Sequence, residues 1–293
     1  MELSAEFKNK VRNAALQARE NFAGSDDAYA KTLGINGSVY SRLKNGEIEG
    51  IISVSNWINM GRVLGVQRRE NNWKVVETRV YRELLDNLTF CKENSKSMMF
   101  VDECDIGKSF CIRHIVKNMK NAFYLDCSQH KTKIQFTRAL AKVLGIDNRG
   151  RYVDVKANVK YALVNLDIPV MVLDEFGDLE YPAFMDVKEY WNATEGLCGW
   201  YVLGAEGLKT KLDNGFERKK VGFAEIMSRF SDKVISIVPT EKTQRESFFY
   251  ELLTDVASAN LNDKKLVEKL VRQCLNKEKK LRHLDTLIRL QAA

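Results

Sequence analysis

Two short stretches of this chain carry side chains whose types and spacing suit phosphate chemistry. The first runs from Met98 to Ser109, an apolar run that ends in Gly107, Lys108 and Ser109. The second runs from Pro169 to Glu175, an apolar run that ends in the carboxylates Asp174 and Glu175. A chain that turns from a strand into a helix can aim successive backbone N–H groups at an anion. On that reading the N–H groups of Asp105, Ile106, Gly107, Lys108, Ser109 and Phe110 wrap a phosphate of ATP. Gly107 lets the backbone come close, Lys108 reaches the β- and γ-phosphates, and the Ser109 hydroxyl holds Mg2+. Asp174 holds the same metal through water, and Glu175 polarises the attacking water. Gly-Lys-Ser alone arises often by chance. Its position after one apolar strand, with a later apolar strand ending Asp-Glu, is much more specific than the alternative of an ordinary strand–turn–helix.

The chain departs from the usual P-loop at two places. The pattern wants Gly where Asp102 stands, and related loops often have Gly where Asp105 stands. Asp tolerates the left-handed backbone at some cost, so the turn is not forbidden. Charge is the larger concern. A carboxylate about 5 Å from a phosphate charge, at an effective dielectric of about 20, repels it by roughly 3 kcal/mol. Two arrangements are open. Either the carboxylates face away and ATP binds normally, or they face inward and the pocket binds weakly without a neighbouring subunit.

Two arginines are placed to complete such a site. Arg229 precedes the expected last strand, where a cation can meet the γ-phosphate of an adjacent protomer. Arg282 starts the last helix and can reach the phosphate within its own chain. The competing reading for each is a surface salt bridge. The position after the fourth expected strand, Ala205 or Glu206, is not the usual polar sensor residue, and that role stays open.

These residues need a scaffold, and the sequence supplies one. From residue 97 apolar runs alternate with helical periodicity. Strands are expected at Met98–Val101, Ala122–Asp126, Val170–Leu173, Gly199–Leu203 and Val234–Val238. Helices are expected at 108–118, 132–144, 155–166, 183–194 and 223–229. The fold class is therefore α/β, a parallel sheet with helices on both faces. Residues 1–66 read as short helices, 67–79 as a polar linker, 80–241 as the α/β core, and 242–293 as a small lid of three helices.

Within the first segment, Asp26 to Lys44 fits a helix-turn-helix. Ala30 is small where two helices cross, and Gly34 suits a turn with positive φ. The second helix leaves Ser38, Ser41, Arg42 and Lys44 to face double-stranded DNA. The segment from Tyr40 to Gly46 resembles the phage-repressor class of this motif. The alternative is a helical bundle used for protein contacts. A second basic cluster, Lys209, Lys211, Arg218, Lys219 and Lys220, follows the fourth strand. As a loop facing the channel of a ring or spiral it would make salt-sensitive phosphate contacts; a solvated loop is the competing reading.

The chain of 293 residues has 45% apolar content and a net charge of +7. That balance is compatible with a polyanionic partner. Its C-terminal segment, 261–293, holds nine Lys or Arg against four Asp or Glu. Six scattered cysteines without a Cys-x-x-Cys pair, and three histidines, argue against zinc and for reduced thiols. No apolar run approaches the roughly 20 residues of a membrane span, and the first residues lack a signal-peptide core. A cytoplasmic protein without a membrane partner is expected.

Order and motifs together resemble the AAA+ ATPases that assist DNA transposition, the phage Mu B and insertion-sequence helper family. The resemblance rests on the repressor-like module, the P-loop with Asp174 and Glu175, the turn at Gly204, the Ser228-Arg229-Phe230 segment and the helical lid. It implies ATP and Mg2+ as cofactors, weak hydrolysis stimulated by DNA or a partner, and self-assembly into a helical filament or ring. It also implies delivery of target DNA to a transposase, with hydrolysis driving release. Two further readings stand beside it: a nucleotide-sensing helix-turn-helix regulator, and an ATPase of the helicase-loader type.

Overall fold

The structure, a computed structural model, describes residues 3–20, 22, 24–66, 73–230 and 235–292. The expected linker over 67–72, and Val234 at the start of the expected fifth strand, lie outside the described residues. The chain begins with helices α1 (Ala5–Glu20), α2 (Asp26–Thr32), α3 (Gly37–Lys44) and α4 (Val54–Val63). There follow α5 (Arg79–Asn94), β1 (Ser97–Val101), α6 (Lys108–Lys117), β2 (Ala122–Asp126), α7 (Lys133–Val143) and α8 (Tyr152–Asn165). Then come β3 (Val170–Asp174), α9 (Tyr181–Ala193), β4 (Gly199–Gly204), α10 (Glu206–Glu217) and α11 (Phe223–Arg229). Three helices end the chain: α12 (Lys242–Asn260), α13 (Lys264–Asn276) and α14 (Leu281–Ala292).

These elements form two compact units. One comprises Met1–Asn72 and Thr137–Leu166, the other Trp73–Phe136 and Asp167–Ala293. In the first, helices α1 to α4 enclose a core that includes Val11, Tyr29, Ala30, Leu33, Tyr40 and Trp57. Short helices need their ends satisfied. Ser25 and Ser53 accept N–H groups at the starts of α2 and α4. Arg12 donates to the carbonyls of Leu43 and Lys44 at the end of α3, at 2.7 and 2.8 Å.

The second unit is built on a parallel sheet of order β1-β4-β3-β2. Parallel neighbours require crossovers, which the intervening helices supply. Side chains alternate between its faces. Phe100, Val170, Val172, Tyr201 and Leu203 join one cluster with Val80, Leu84 and Leu88 of α5 and Ile112 and Ile115 of α6. On the opposite face Trp200 donates its indole N–H to Thr194, just after α9, at 3.0 Å. A separate core joins α12, α13 and α14 through Leu253, Val256, Val267, Leu270 and Leu284. No described helix is long and apolar enough to cross a membrane.

Two expectations need correcting. Among the described residues of the expected fifth strand, 235–238, one bridge forms: Ile235 lies parallel beside Phe100, exchanging backbone hydrogen bonds with Val101 and Met99 at 3.0 Å each. The next ladder donors are diverted, because the N–H groups of Ile237 and Val238 turn to the Asp102 carboxylate. Pro239 then has no N–H to give. The second correction is α10, which occupies a stretch expected as a loop. Its apolar stripe is short, with Leu208 and Leu212 buried, and Gly207 and Gly215 weaken its helical signal.

Candidate nucleotide site and nucleic-acid surfaces

The C-terminal ends of β1 and β3 meet the same edge of the sheet. Val101 pairs with Gly204 of β4, and Leu173 pairs with Val202 of that strand. The loop 102–107 leaves β1 and enters α6 at Lys108. Gly107 stands before that helix with φ of 93°, a conformation that favours glycine. A side chain there would also crowd Leu281 Cδ1, 3.2 Å from the Cβ position. The Lys108 ammonium folds back to donate to the carbonyls of Asp102 and Glu103, at 2.8 and 2.6 Å. Burial lowers its pKa, opposed by the nearby charges of Asp102, Cys104, Glu175 and Asp174. Lys108 therefore senses the carboxylates at the end of β3.

Both unexpected aspartates turn their carboxylates to other elements. Asp102 is buried. Its Oδ2 accepts the N–H groups of Ile237 and Val238 at 2.7 and 3.1 Å, and its Oδ1 accepts the Glu103 N–H at 2.7 Å. Asp105 adopts a left-handed backbone with φ of 65°. Its oxygens accept the Arg282 N–H in the first turn of α14, at 3.0 and 3.2 Å. Burial raises the Asp105 pKa, and the Arg282 N–H and charge oppose that rise. Glu103, between them, accepts from Arg245 of α12 at 2.7 Å and from Lys280 at 2.5 Å. Sequence reasoning missed the roles of Glu103, Arg245 and Lys280. Their partners lie more than a hundred residues apart in the chain, and no local pattern links them.

Across the edge, Asp174 is buried and held on both oxygens. Tyr124 donates its hydroxyl to Oδ2 at 2.7 Å, and the Glu175 N–H reaches Oδ1 at 3.0 Å. Tyr124 is a further residue that the sequence did not single out. Burial first, then Asp174, raises its pKa, so it stays a donor. Glu175 follows with a left-handed φ of 50° that swings its side chain out of the strand direction, and it is exposed. Partial desolvation and then Asp174 raise its pKa. A general base at this position gains from a raised pKa. Among the described residues no group of three or more His, Cys, Asp or Glu converges as a metal cage. The donor set of Ser109 and Asp174 fits Mg2+, which keeps most of its water and needs only one or two protein oxygens.

The remaining site residues fall as follows. Ile106 is buried, and Phe110 is 39% exposed on the first turn of α6. The Arg282 side chain is 86% exposed and 3.7 Å from Asp105. Arg229 is half-buried against its own α9, donating to Asn192 at 2.8 Å with its cation 5.2 Å from the Trp191 ring centre. Ala205 precedes α10 with no side-chain cap, and Glu206 is exposed beside it.

The residues expected to face DNA differ in their freedom. In the first unit, Gly34 has φ of 76° and the Ile35 N–H closes the turn onto Ala30 at 3.0 Å. Asn36 then caps α3 through the Val39 N–H. Ser38, Ser41, Arg42 and Lys44 are exposed. Ser38 donates to Asn36, Arg42 pairs with Glu47 at 2.6 Å, and Lys44 pairs with Asp26 at 2.7 Å. Solvent-exposed pairs of this kind are worth about 0–1 kcal/mol, so phosphates can replace them. In the second unit, Lys209 lies on α10, while Lys219 and Lys220 follow it, all exposed. Lys211 is different. Its ammonium donates to the carbonyls of Gly177 at 2.8 Å and of Leu179, and it packs 5.4 Å from the Phe184 ring centre. It braces the turn after Glu175.

No model of a known protein family matches this chain, and no curated protein matches it. Among solved structures it is similar to the Orc1 protein of Aeropyrum pernix in complex with DNA, with a TM-score of 0.54 and 14% sequence identity. The likeness covers 74% of this chain and 59% of that one, so this chain spans well under two thirds of its neighbour. At that identity the likeness concerns fold. Together with the sheet order and the loop 102–109 at the end of β1, it places the chain's α/β unit in the P-loop AAA+ fold.

Proposed function

We propose that this chain is an ATP-dependent, DNA-associated AAA+ protein whose assembly on DNA is switched by nucleotide. One observation carries the reading. The glycine-hinged loop with Lys108 and Ser109, and the Asp174–Glu175 pair, stand at one sheet edge on strands separated only by β4. Ligands of open parallel sheets bind at that edge.

On this reading the N–H groups of residues 105–110 cradle the phosphates. Lys108 exchanges two loop carbonyls for phosphate oxygens. Ser109 and Asp174 hold Mg2+, which neutralises charge on the phosphates when bound. Glu175 orients and deprotonates water. Arg282 approaches from α14, and Arg229 of a neighbouring copy supplies the opposing cation. Nucleotide then acts as a switch through its different affinity for assembled and free protein. DNA engages α3 and the corner after α10. The finer role is presentation of target DNA to a transposase, with release upon hydrolysis. Its support is the order of motifs shared with the transposition helpers.

The test is electron-microscope imaging with random-sequence duplex DNA, with and without ATP and Mg2+, for wild type and Glu175→Gln. Assemblies that need ATP and persist in the variant support the reading. Nucleotide-independent binding to one defined operator, by the first unit alone, would favour a regulator instead.

A further inference from the structure

Phe216 is 62% exposed and Val221 is 73% exposed, among the most exposed large apolar side chains described. They flank the turn between α10 and α11, and three consecutive cations, Arg218, Lys219 and Lys220, lie between them. Single exposed apolar residues need no explanation. Two of them around a basic turn form a pattern, and the turn is firmly built. Lys219 takes a left-handed φ of 49° and donates its N–H to Phe216 O at 2.9 Å. The Lys220 N–H returns to Gly215 O at 2.9 Å. A side chain at Gly215 would overlap Phe223, 2.2 Å from the Cβ position, so the two helices close directly on one another. Tyr181 donates its hydroxyl to Val221 O at 2.9 Å, and the Lys220 ammonium sits 4.0 Å from the Tyr181 ring centre.

We propose that this corner is a DNA wedge, in which Phe216 enters the minor groove of duplex DNA while Arg218 and Lys219 hold the flanking phosphates. The inference rests on the reading of the chain as DNA-associated and adds a contact to it. A rigid basic turn tipped by apolar side chains matches what groove insertion requires: cations to hold the backbone, and a wedge to part a base step. Two braces pre-order the tip. Lys220 is stacked on Tyr181, and Tyr181 holds the turn by its backbone.

The test uses the full chain and an end-labelled random-sequence duplex of about 30 base pairs, read by energy transfer for bending and by anisotropy for affinity. Phe216→Ala is expected to abolish the bend and weaken binding about tenfold, with the salt dependence kept. Arg218→Ala with Lys219→Ala is expected to lower the slope of log K against log salt by about two. Nucleotide-analogue affinity should be unchanged in both, which shows that the fold is intact. If wild type binds duplex while Phe216→Ala bends and binds it equally well, the wedge is wrong and the parent reading survives. If wild type binds no duplex, both fall. If Phe216→Ala instead disrupts self-association in sedimentation without DNA, the corner is a protein contact and the wedge is overturned.

Discussion

The carboxylate of Asp105 receives the backbone N–H of Arg282, 177 residues further along the chain, at 3.0 Å. A residue of the loop 102–107 thus caps the first turn of a helix in the C-terminal segment. Asp102 does the same for the segment beside β1, and Glu103 for Arg245 and Lys280. The acidic character that looked hostile to phosphate is directed at structure, which leaves the proposed phosphate cradle to the backbone N–H groups.

Asp102→Gly should therefore cost stability and add no affinity for nucleotide. It orphans the Ile237 and Val238 N–H groups, of which Val238 is buried. A loss of roughly 1–3 kcal/mol in urea unfolding is expected. Tighter binding of a fluorescent ATP analogue by the variant would show that the carboxylate repels phosphate after all.

Asp105→Ala removes the acceptor at the start of α14. The expected cost is about 0.5–2 kcal/mol, felt locally. Amide hydrogen exchange at the first turn of α14 should quicken while α13 keeps its protection. Unchanged exchange at Arg282 would refute the tie.

Glu103 links two cations, and its side chain and that of Lys280 are about three-quarters buried. A double-mutant cycle of Glu103→Gln and Lys280→Met should show a coupling of about 1 kcal/mol, reduced at high salt. A coupling of zero would make the contact incidental.

Tyr124→Phe keeps the ring and removes the hydroxyl that orients Asp174. Loss of such a supporting hydrogen bond typically weakens metal binding 10–100-fold. A Mg2+ titration of nucleotide-analogue binding should shift to higher Mg2+ by that order, with Mg2+-free binding unchanged. An unshifted titration would show that Tyr124 does not position the carboxylate.

Glu175 carries a pH signature. Its pKa is raised in the folded protein by desolvation and by Asp174. The folded state thus binds its proton more tightly than the unfolded chain does, and the ionised group costs stability at neutral pH. That cost disappears as pH falls through the raised value. Glu175→Gln should raise the melting temperature near pH 7, and the gain should fade once pH drops below the ordinary glutamate value of about 4.3. A gain that persists below that pH would assign the effect to another cause.

Local chemistry determined much of this protein in advance. Apolar runs with helical spacing between them require a parallel sheet, and β2 and α11 fall on their expected residues. Gly107 could be singled out because a left-handed turn before a helix favours glycine. Gly34 marked the α2–α3 turn for the same reason. Tertiary structure decided the direction of the acidic side chains. Whether Asp102 and Asp105 point into the cradle depends on partners 135 and 177 residues away, which no periodicity encodes. It also turned Ile237 and Val238 away from the sheet, because a buried carboxylate competes with the ladder for their N–H groups. Lys211 belongs to this class as well. Its charge suggested DNA, but folding α10 against the turn after Glu175 brings it to two carbonyls that need a donor.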